Sequence, residues 1–133
     1  MPAETFRLSN QEKRFLNIAI KAAGSSDMKK KHGAVVVKSG RVLAIGINKF
    51  RNHPAQTASD RIQDECSVHA EIDAISRCDP RGASLFVARV NNSGEVRYSR
   101  PCKRCGAILE KVGIKKVVWS SGKEHSNDNS AWL

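Results

Sequence analysis

Leu85-Phe86-Val87-Ala88-Arg89-Val90 is a short, mostly apolar run that reads as a strand, and what flanks it decides the fold class. Upstream, from Ser67, the positions Val68, Ile72 and Ile75 with Ala70 and Ala74 between them fit a short helix, which Asp79-Pro80-Arg81-Gly82 ends. Downstream, Asn91-Asn92-Ser93-Gly94 makes a turn and Glu95 to Tyr98 reads as a strand extension. Pro101 then introduces a helix with Ile108, Leu109 and Val112 on its apolar side and a stop at Gly113, before a last strand at Val117-Val118-Trp119. Nearer the N-terminus, Ser9 and Glu12 have capping-box spacing, and Phe15, Leu16, Ala19, Ile20, Ala22 and Ala23 recur at helical intervals up to Gly24. Two β-branched runs, Ala34 to Val37 and Val42 to Ile47, join through Ser39-Gly40 as a hairpin.

The order is αββαβαβ. Strands alternating with helices require a sheet covered on both faces. The fold class is therefore α/β, a three-layer α/β/α arrangement with a mixed sheet: the first two strands form an antiparallel hairpin and the later strands run parallel. Such sheets place ligands beyond the carboxyl ends of their strands. The whole chain, 1–133, reads as a single domain with a core at about 9–120 and a polar C-terminal tail at 121–133. Lys49 to Asp64 has few large apolar groups and contains Pro54, so it reads as a long loop.

With 133 residues and 40% hydrophobic content, the chain can bury a core without disulfides, which leaves its four cysteines available for chemistry. No run approaches the roughly 18 apolar residues of a membrane span. The opening MPAETFRLSN has neither a basic nor an apolar leader region, so the expected location is the cytoplasm, with no membrane partner. In that reducing compartment, closely spaced cysteines point to a metal or a catalytic thiol.

His69-Ala70-Glu71 opens the second helix and Pro101-Cys102-Lys103-Arg104-Cys105 opens the third. Cys102 and Cys105 are three residues apart, share one helix face, and sit where the positive end of the helix dipole favours thiolates. His69 as third ligand completes a Cys₂His set, which leaves the fourth tetrahedral position of Zn²⁺ open to water, as in catalytic sites. Glu71 then falls beside that water rather than on the metal. The competing reading is a closed structural zinc site whose fourth ligand comes from Cys66, Cys78, His53, His32 or His125. Taken singly, Cys66 and Cys78 read as buried fillers, His53 as a loop residue, and His125 as having no role. Trp132 reads as docking on the domain or on a neighbouring subunit.

His69-Ala-Glu71 followed by Pro101-Cys102-x-x-Cys105, together with His32-Gly-Ala-Val-Val-Val and Gly46-Ile-Asn48, resembles the cytidine and deoxycytidylate deaminase superfamily. The likeness runs from about Phe15 to Ser120. It implies a cytidine deaminase-like fold, zinc on His69, Cys102 and Cys105, and Glu71 as the proton shuttle. Zinc-activated water would attack the ring carbon bearing the amine, Glu71 would protonate the ring nitrogen and then the amine, and ammonia would leave. The same resemblance gives Ala70 backbone contacts to the base and Asn48 a hydrogen bond to sugar or base. It places Ser99, Arg100 and Pro101 with the substrate, and implies a homo-oligomer.

The substrate is read from departures and charge. Lys49-Phe50 stands where nucleoside deaminases usually carry a Glu, and Gly106-Ala107 where they carry Arg-Gln. Ser99-Arg100 and Lys103-Arg104 depart from the tRNA deaminase pattern. The chain carries 23 Lys+Arg against 13 Asp+Glu, net +10, and seven of the basic residues fall between Met28 and Ser59, where there is no acid. A positive cleft favours phosphates. Few aromatics are available to stack the bases of a strand. The leading expectation is hydrolytic deamination of a cytosine nucleoside or nucleotide, dCMP to dUMP first. The alternatives are a deaminase of tRNA or single-stranded DNA, and a non-enzymatic zinc module that binds nucleic acid.

Overall fold

The computed structural model describes residues 8–50, 67–121 and 129–132. Its first element, α1 (Asn10–Ala23), is held at its start by the expected capping box: the Ser9 hydroxyl accepts from the Glu12 backbone N–H and the Glu12 carboxylate accepts from that of Ser9. The hairpin of β1 (Lys31–Lys38) and β2 (Arg41–Ile47) closes through a two-residue turn with Ser39 at φ 53° and Gly40 at φ 76°. Positive φ at both positions matches the right-handed twist of the strands.

Then come β3 (Lys49–Phe50), β4 (Ser67–Val68), α2 (Ala70–Ile75), β5 (Ser84–Val90), β6 (Val96–Arg97), α3 (Lys103–Lys111), β7 (Lys116–Trp119) and β8 (Asn129–Trp132). The main sheet runs β2-β1-β5-β7-β8, with β6 hydrogen-bonded to β5. β5 and β7 are parallel, and every other pairing is antiparallel. Parallel pairing is thus narrower than the expectation for the later strands. β6 is the return arm of a tight hairpin, whose turn is fixed by the Asn91 side chain accepting from the backbone of Ser93 and Glu95. β8 lies in the segment expected to be a polar tail: its backbone adds a strand to the edge of β7, which hydropathy does not signal.

Alternation along the strands builds two cores. Val35, Val37, Phe86, Ala88 and Val118 meet Phe15, Leu16 and Ala19 of α1, while Ala34, Val36, Leu85, Val87 and Val117 meet Ala70, Ala74 and Leu109 of α2 and α3. Helices therefore cover both faces. The second helix begins later than its apolar spacing suggests. Ser67 and Val68 pair with Phe50 and Lys49 as a small second sheet, and His69 is extended at φ −72°, ψ 147°. Residues 51–66 and 122–128, with His53, Cys66 and His125 and most of the expected long loop, lie outside the described residues. Among the described residues no helix is long and apolar enough to cross a membrane.

Gly46 lets α2 lie on the sheet. A Cβ there would stand 2.4 Å from the Ala74 nitrogen and 2.6 Å from the Ala70 oxygen, so only glycine permits this approach. The packing brings the first turn of α2 to the end of β2. The carboxyl ends of β2, β5 and β7 and the start of β1 share one margin of the sheet, where the N-termini of α2 and α3 converge.

Candidate metal centre and active-site cleft

His69 and Cys102 are the N-cap residues of α2 and α3, both extended and neither using its side chain to cap its own helix. Their side chains are therefore available to a shared site. His69 Nδ1 stands 3.1 Å from Cys105 Sγ, and one ligand atom from each of His69, Cys102 and Cys105 falls within a 4.8 Å cluster. Among the described residues this is the only such grouping of three or more His, Cys, Asp or Glu. Cys105 is buried and Cys102 exposed, so the cluster sits at the floor of an opening.

Burial pushes the Cys105 thiol pKa well up, and the neighbouring Glu71 and Cys102 add to that. A divalent cation reverses this balance, because a coordinated thiol is deprotonated outright. Two sulfurs and one imidazole nitrogen suit zinc, whose tetrahedral ligands stand about 3.6–3.8 Å apart at ordinary bond lengths. The residues fit the ion. No fourth protein ligand joins the cluster among the described residues, and Cys78 makes its contact with the Ala74 carbonyl instead.

Glu71, one residue into α2, is 5% exposed and has no acidic neighbour lining the cleft among the described residues. Burial raises its carboxyl pKa, with its own backbone N–H and His69 opposing. A carboxyl held this way gives up its proton less readily than an ordinary glutamate.

The cleft above the cluster is about 260 Å³. Of the residues expected at the substrate, Asn48, Ala70, Ser99 and Arg100 line it together with His69, Glu71 and Cys102. Pro101 lines an adjoining groove instead. Asn48 is mostly committed to the protein. Its Oδ1 accepts from the Ser26 hydroxyl at 2.7 Å and the His32 backbone N–H at 2.8 Å, and its Nδ2 donates to the Lys30 carbonyl at 2.6 Å. One amide hydrogen is left for a ligand, so Asn48 chiefly shapes the wall formed by residues 26–32.

Ser99 is likewise built in. Its hydroxyl donates to the Val87 carbonyl at 2.9 Å and accepts from the Ser120 backbone N–H at 2.9 Å, which ties the segment before Cys102 to β5 and β7. Arg100 lies over the Trp119 ring, its guanidinium carbon 5.1 Å from the centroid. Asp73 anchors α2 from beneath, accepting from the Ile47 backbone and from Arg77 and pairing with Lys49 at 3.2 Å. Burial alone would raise its pKa, but these partners outweigh it and hold the carboxyl below its usual range.

Sequence reasoning missed Lys30 and Arg89, which also line the cleft, and gave His32 no place in it beyond a spare-ligand candidacy. Burial, helped by Arg89, His69 and Lys30, pushes His32 down to about 4 against a backbone hydrogen bond at Lys30. A charged residue inside the apolar run of β5 was the signal available for Arg89.

The family described as the cytidine and deoxycytidylate deaminase zinc-binding region matches residues 9–121. The chain belongs to this family. It is a zinc-dependent hydrolytic deaminase, with His69, Cys102 and Cys105 positioned to bind the metal ion. This deaminase is 34% identical over 128 residues to the deoxycytidylate deaminase of Mycobacterium phage D29, covering 79% of this chain and 90% of that one. It is 28% identical over 130 residues to the human deoxycytidylate deaminase, covering 87% and 67% respectively. Its fold is similar to that of the dCMP deaminase from cyanophage S-TIM5 in apo form, with a TM-score of 0.66, 22% identity and 89% of each chain covered.

Proposed function

We propose that this deaminase converts dCMP to dUMP with release of ammonia, working as one domain that assembles into a homo-oligomer. The observation that carries the substrate class is the charge of the cleft. Lys30, Arg89 and Arg100 line it, and the buried Glu71 is the only acid among the described lining residues. That wall suits an anionic substrate with one reactive ring. The deoxycytidylate deaminases of phage D29 and human, and the S-TIM5 enzyme solved in complex with dCMP and dUMP, support a free nucleotide.

In this reading His69, Cys102 and Cys105 hold the zinc. When bound, the ion acidifies water and so supplies a nucleophile at neutral pH. Glu71 handles the protons. Its carboxylate takes one from the attacking water and delivers it to ring N3 as the new C–O bond forms at C4. It then takes the remaining hydroxyl proton and passes it to the exocyclic amine, so that the C4–N bond breaks and a carbonyl and ammonia remain. The Ala70 backbone and the free amide hydrogen of Asn48 orient the base or sugar, and Ser99 positions the chain ahead of Cys102. Exposed Val42, Leu43 and Ile45 on the edge strand β2 support self-association, which sedimentation would test.

A second reading has one feature in its favour. The adjoining groove is bordered by exposed Tyr98 and Arg100, a surface on which a polynucleotide base could stack. One panel separates the two: ammonia release by zinc-loaded protein from dCMP, CMP, deoxycytidine, cytidine and cytosine-containing oligonucleotides. The proposal expects dCMP to have the highest kcat/KM. Turnover of oligonucleotides alone overturns it, and oligonucleotide binding with steep salt dependence and no turnover leaves a non-enzymatic zinc module.

A further inference from the structure

His32, Arg89 and Arg97 stand side by side across three strands: His32 faces Arg89 between β1 and β5, and Arg89 faces Arg97 between β5 and β6. Directly paired residues project from the same face of a sheet, where like charges repel. This face is the one that carries Leu85 and Val87 toward α2 and α3, the side on which the metal cluster lies. Arg97 is relieved by Glu95, 3.1 Å from its guanidinium. Among the described residues no carboxylate pairs with Arg89 in this way. Its Nε is inaccessible to solvent and has no hydrogen-bond partner among the described residues. The side chain nevertheless borders the cleft, alongside His32, Lys30 and the reacting end at His69 and Glu71.

A buried guanidinium nitrogen without an acceptor is unfavourable in the free protein, while the rest of the half-buried side chain faces the cleft. Its backbone is not free to turn away, because the Arg89 N–H donates to the Ser120 hydroxyl at 3.3 Å and β5 is central in the sheet. His32 beside it, half-buried and held uncharged, adds a neutral wall rather than a second repelling charge. The cleft-facing side of Arg89 suits an anion, because a guanidinium recognises phosphate oxygens through two parallel N–H bonds.

We infer that Arg89 is the specificity-determining residue that receives the phosphate monoester of the substrate nucleotide. The inference rests on the nucleotide reading above and names the group that enforces it. Arg89 does not touch the reacting carbon. It makes the deaminase favour dCMP over deoxycytidine.

The test compares zinc-loaded wild type with Arg89→Gln and Arg89→Lys. Two ratios are read: kcat/KM for dCMP over deoxycytidine, and calorimetric affinity for dUMP over deoxyuridine. Loss of a charge-assisted contact predicts that Arg89→Gln lowers both ratios about 10- to 100-fold, through KM more than kcat, with Arg89→Lys between it and wild type. Inorganic phosphate should raise the melting temperature of wild type and not that of Arg89→Gln. Because Nε of Arg89 finds no partner among the described residues, Arg89→Gln should melt no lower than wild type, which keeps the comparison interpretable. Equal losses for nucleotide and nucleoside, or unchanged ratios, overturn the inference while leaving nucleotide deamination standing. A variant weakened toward an oligodeoxynucleotide but not toward dUMP also overturns it. If wild type turns over no cytosine nucleotide, the underlying reading fails instead.

Discussion

Replacing Gly46 with alanine tests whether packing of a helix on the sheet sets the chemistry. The added methyl would sit 2.4 Å from the Ala74 nitrogen and 2.6 Å from the Ala70 oxygen, whereas ordinary contacts begin near 3.4 Å. The shortfall is about 1 Å and both neighbours are helix backbone, so no side chain can swing aside. α2 must move. Overpacking of this kind costs about 1–3 kcal/mol, a fall of several degrees in melting temperature for a chain of this size. Ala70 lies between His69 and Glu71, so the displacement reaches the metal ligand and the proton carrier together. A misplacement of about 1 Å at reacting groups lowers turnover on the order of 100-fold. The assay is thermal unfolding and dCMP turnover of Gly46→Ala beside Gly106→Ala, whose added Cβ on α3 meets nothing within 4 Å. Gly106→Ala should be neutral or up to about 1 kcal/mol more stable. A Gly46→Ala protein with unchanged melting and unchanged kcat/KM would refute the argument that this contact positions the site.

Three other outcomes are expected. Glu12 loses some affinity for its charge through burial, but Lys116 and the Ser9 cap outweigh that and hold its pKa below the ordinary glutamate value. Its stabilisation is therefore complete above about pH 4–5 and is lost as pH falls through the lowered value, so the stability gap between wild type and Glu12→Gln should shrink in acid denaturation curves. Ser99→Ala removes the buried hydroxyl that bridges the Val87 carbonyl and the Ser120 backbone N–H, and because that N–H keeps the Val87 carbonyl as acceptor the loss should cost about 0.5–1.5 kcal/mol in urea unfolding and loosen the approach to Cys102. Stripping zinc with a chelator should abolish turnover and lower the melting temperature, and readdition of zinc should restore both, as followed by ammonia release and calorimetry.

The layers and the metal donors were legible because they rest on local rules. The capping box at Ser9 and Glu12, the Ser39-Gly40 turn and the alternation along β1 and β5 each need only a few neighbouring residues. His69 with Cys102 and Cys105 could be joined because two helix N-termini on one sheet margin leave little choice of where they meet. What escaped depends on partners distant in sequence. Val68 has helical spacing but pairs with Lys49, and 129–132 is polar yet gains backbone bonds at an open sheet edge. Asn48 does line the cleft, but only the fold shows that its Oδ1 also accepts from Ser26 and His32 and so builds the wall as well. Arg89 is charged inside an apolar strand, and its meaning depends on which face of β5 it occupies and on the residues paired across from it.

The most direct test is a paired measurement on Glu71→Gln: zinc per chain by atomic absorption, and ammonia released from dCMP. If the carboxyl carries protons beside a metal held by three other side chains, the variant keeps the wild-type complement of zinc while turnover falls by a factor of at least about 100. A variant that loses its zinc, or one that keeps both zinc and turnover, contradicts the account.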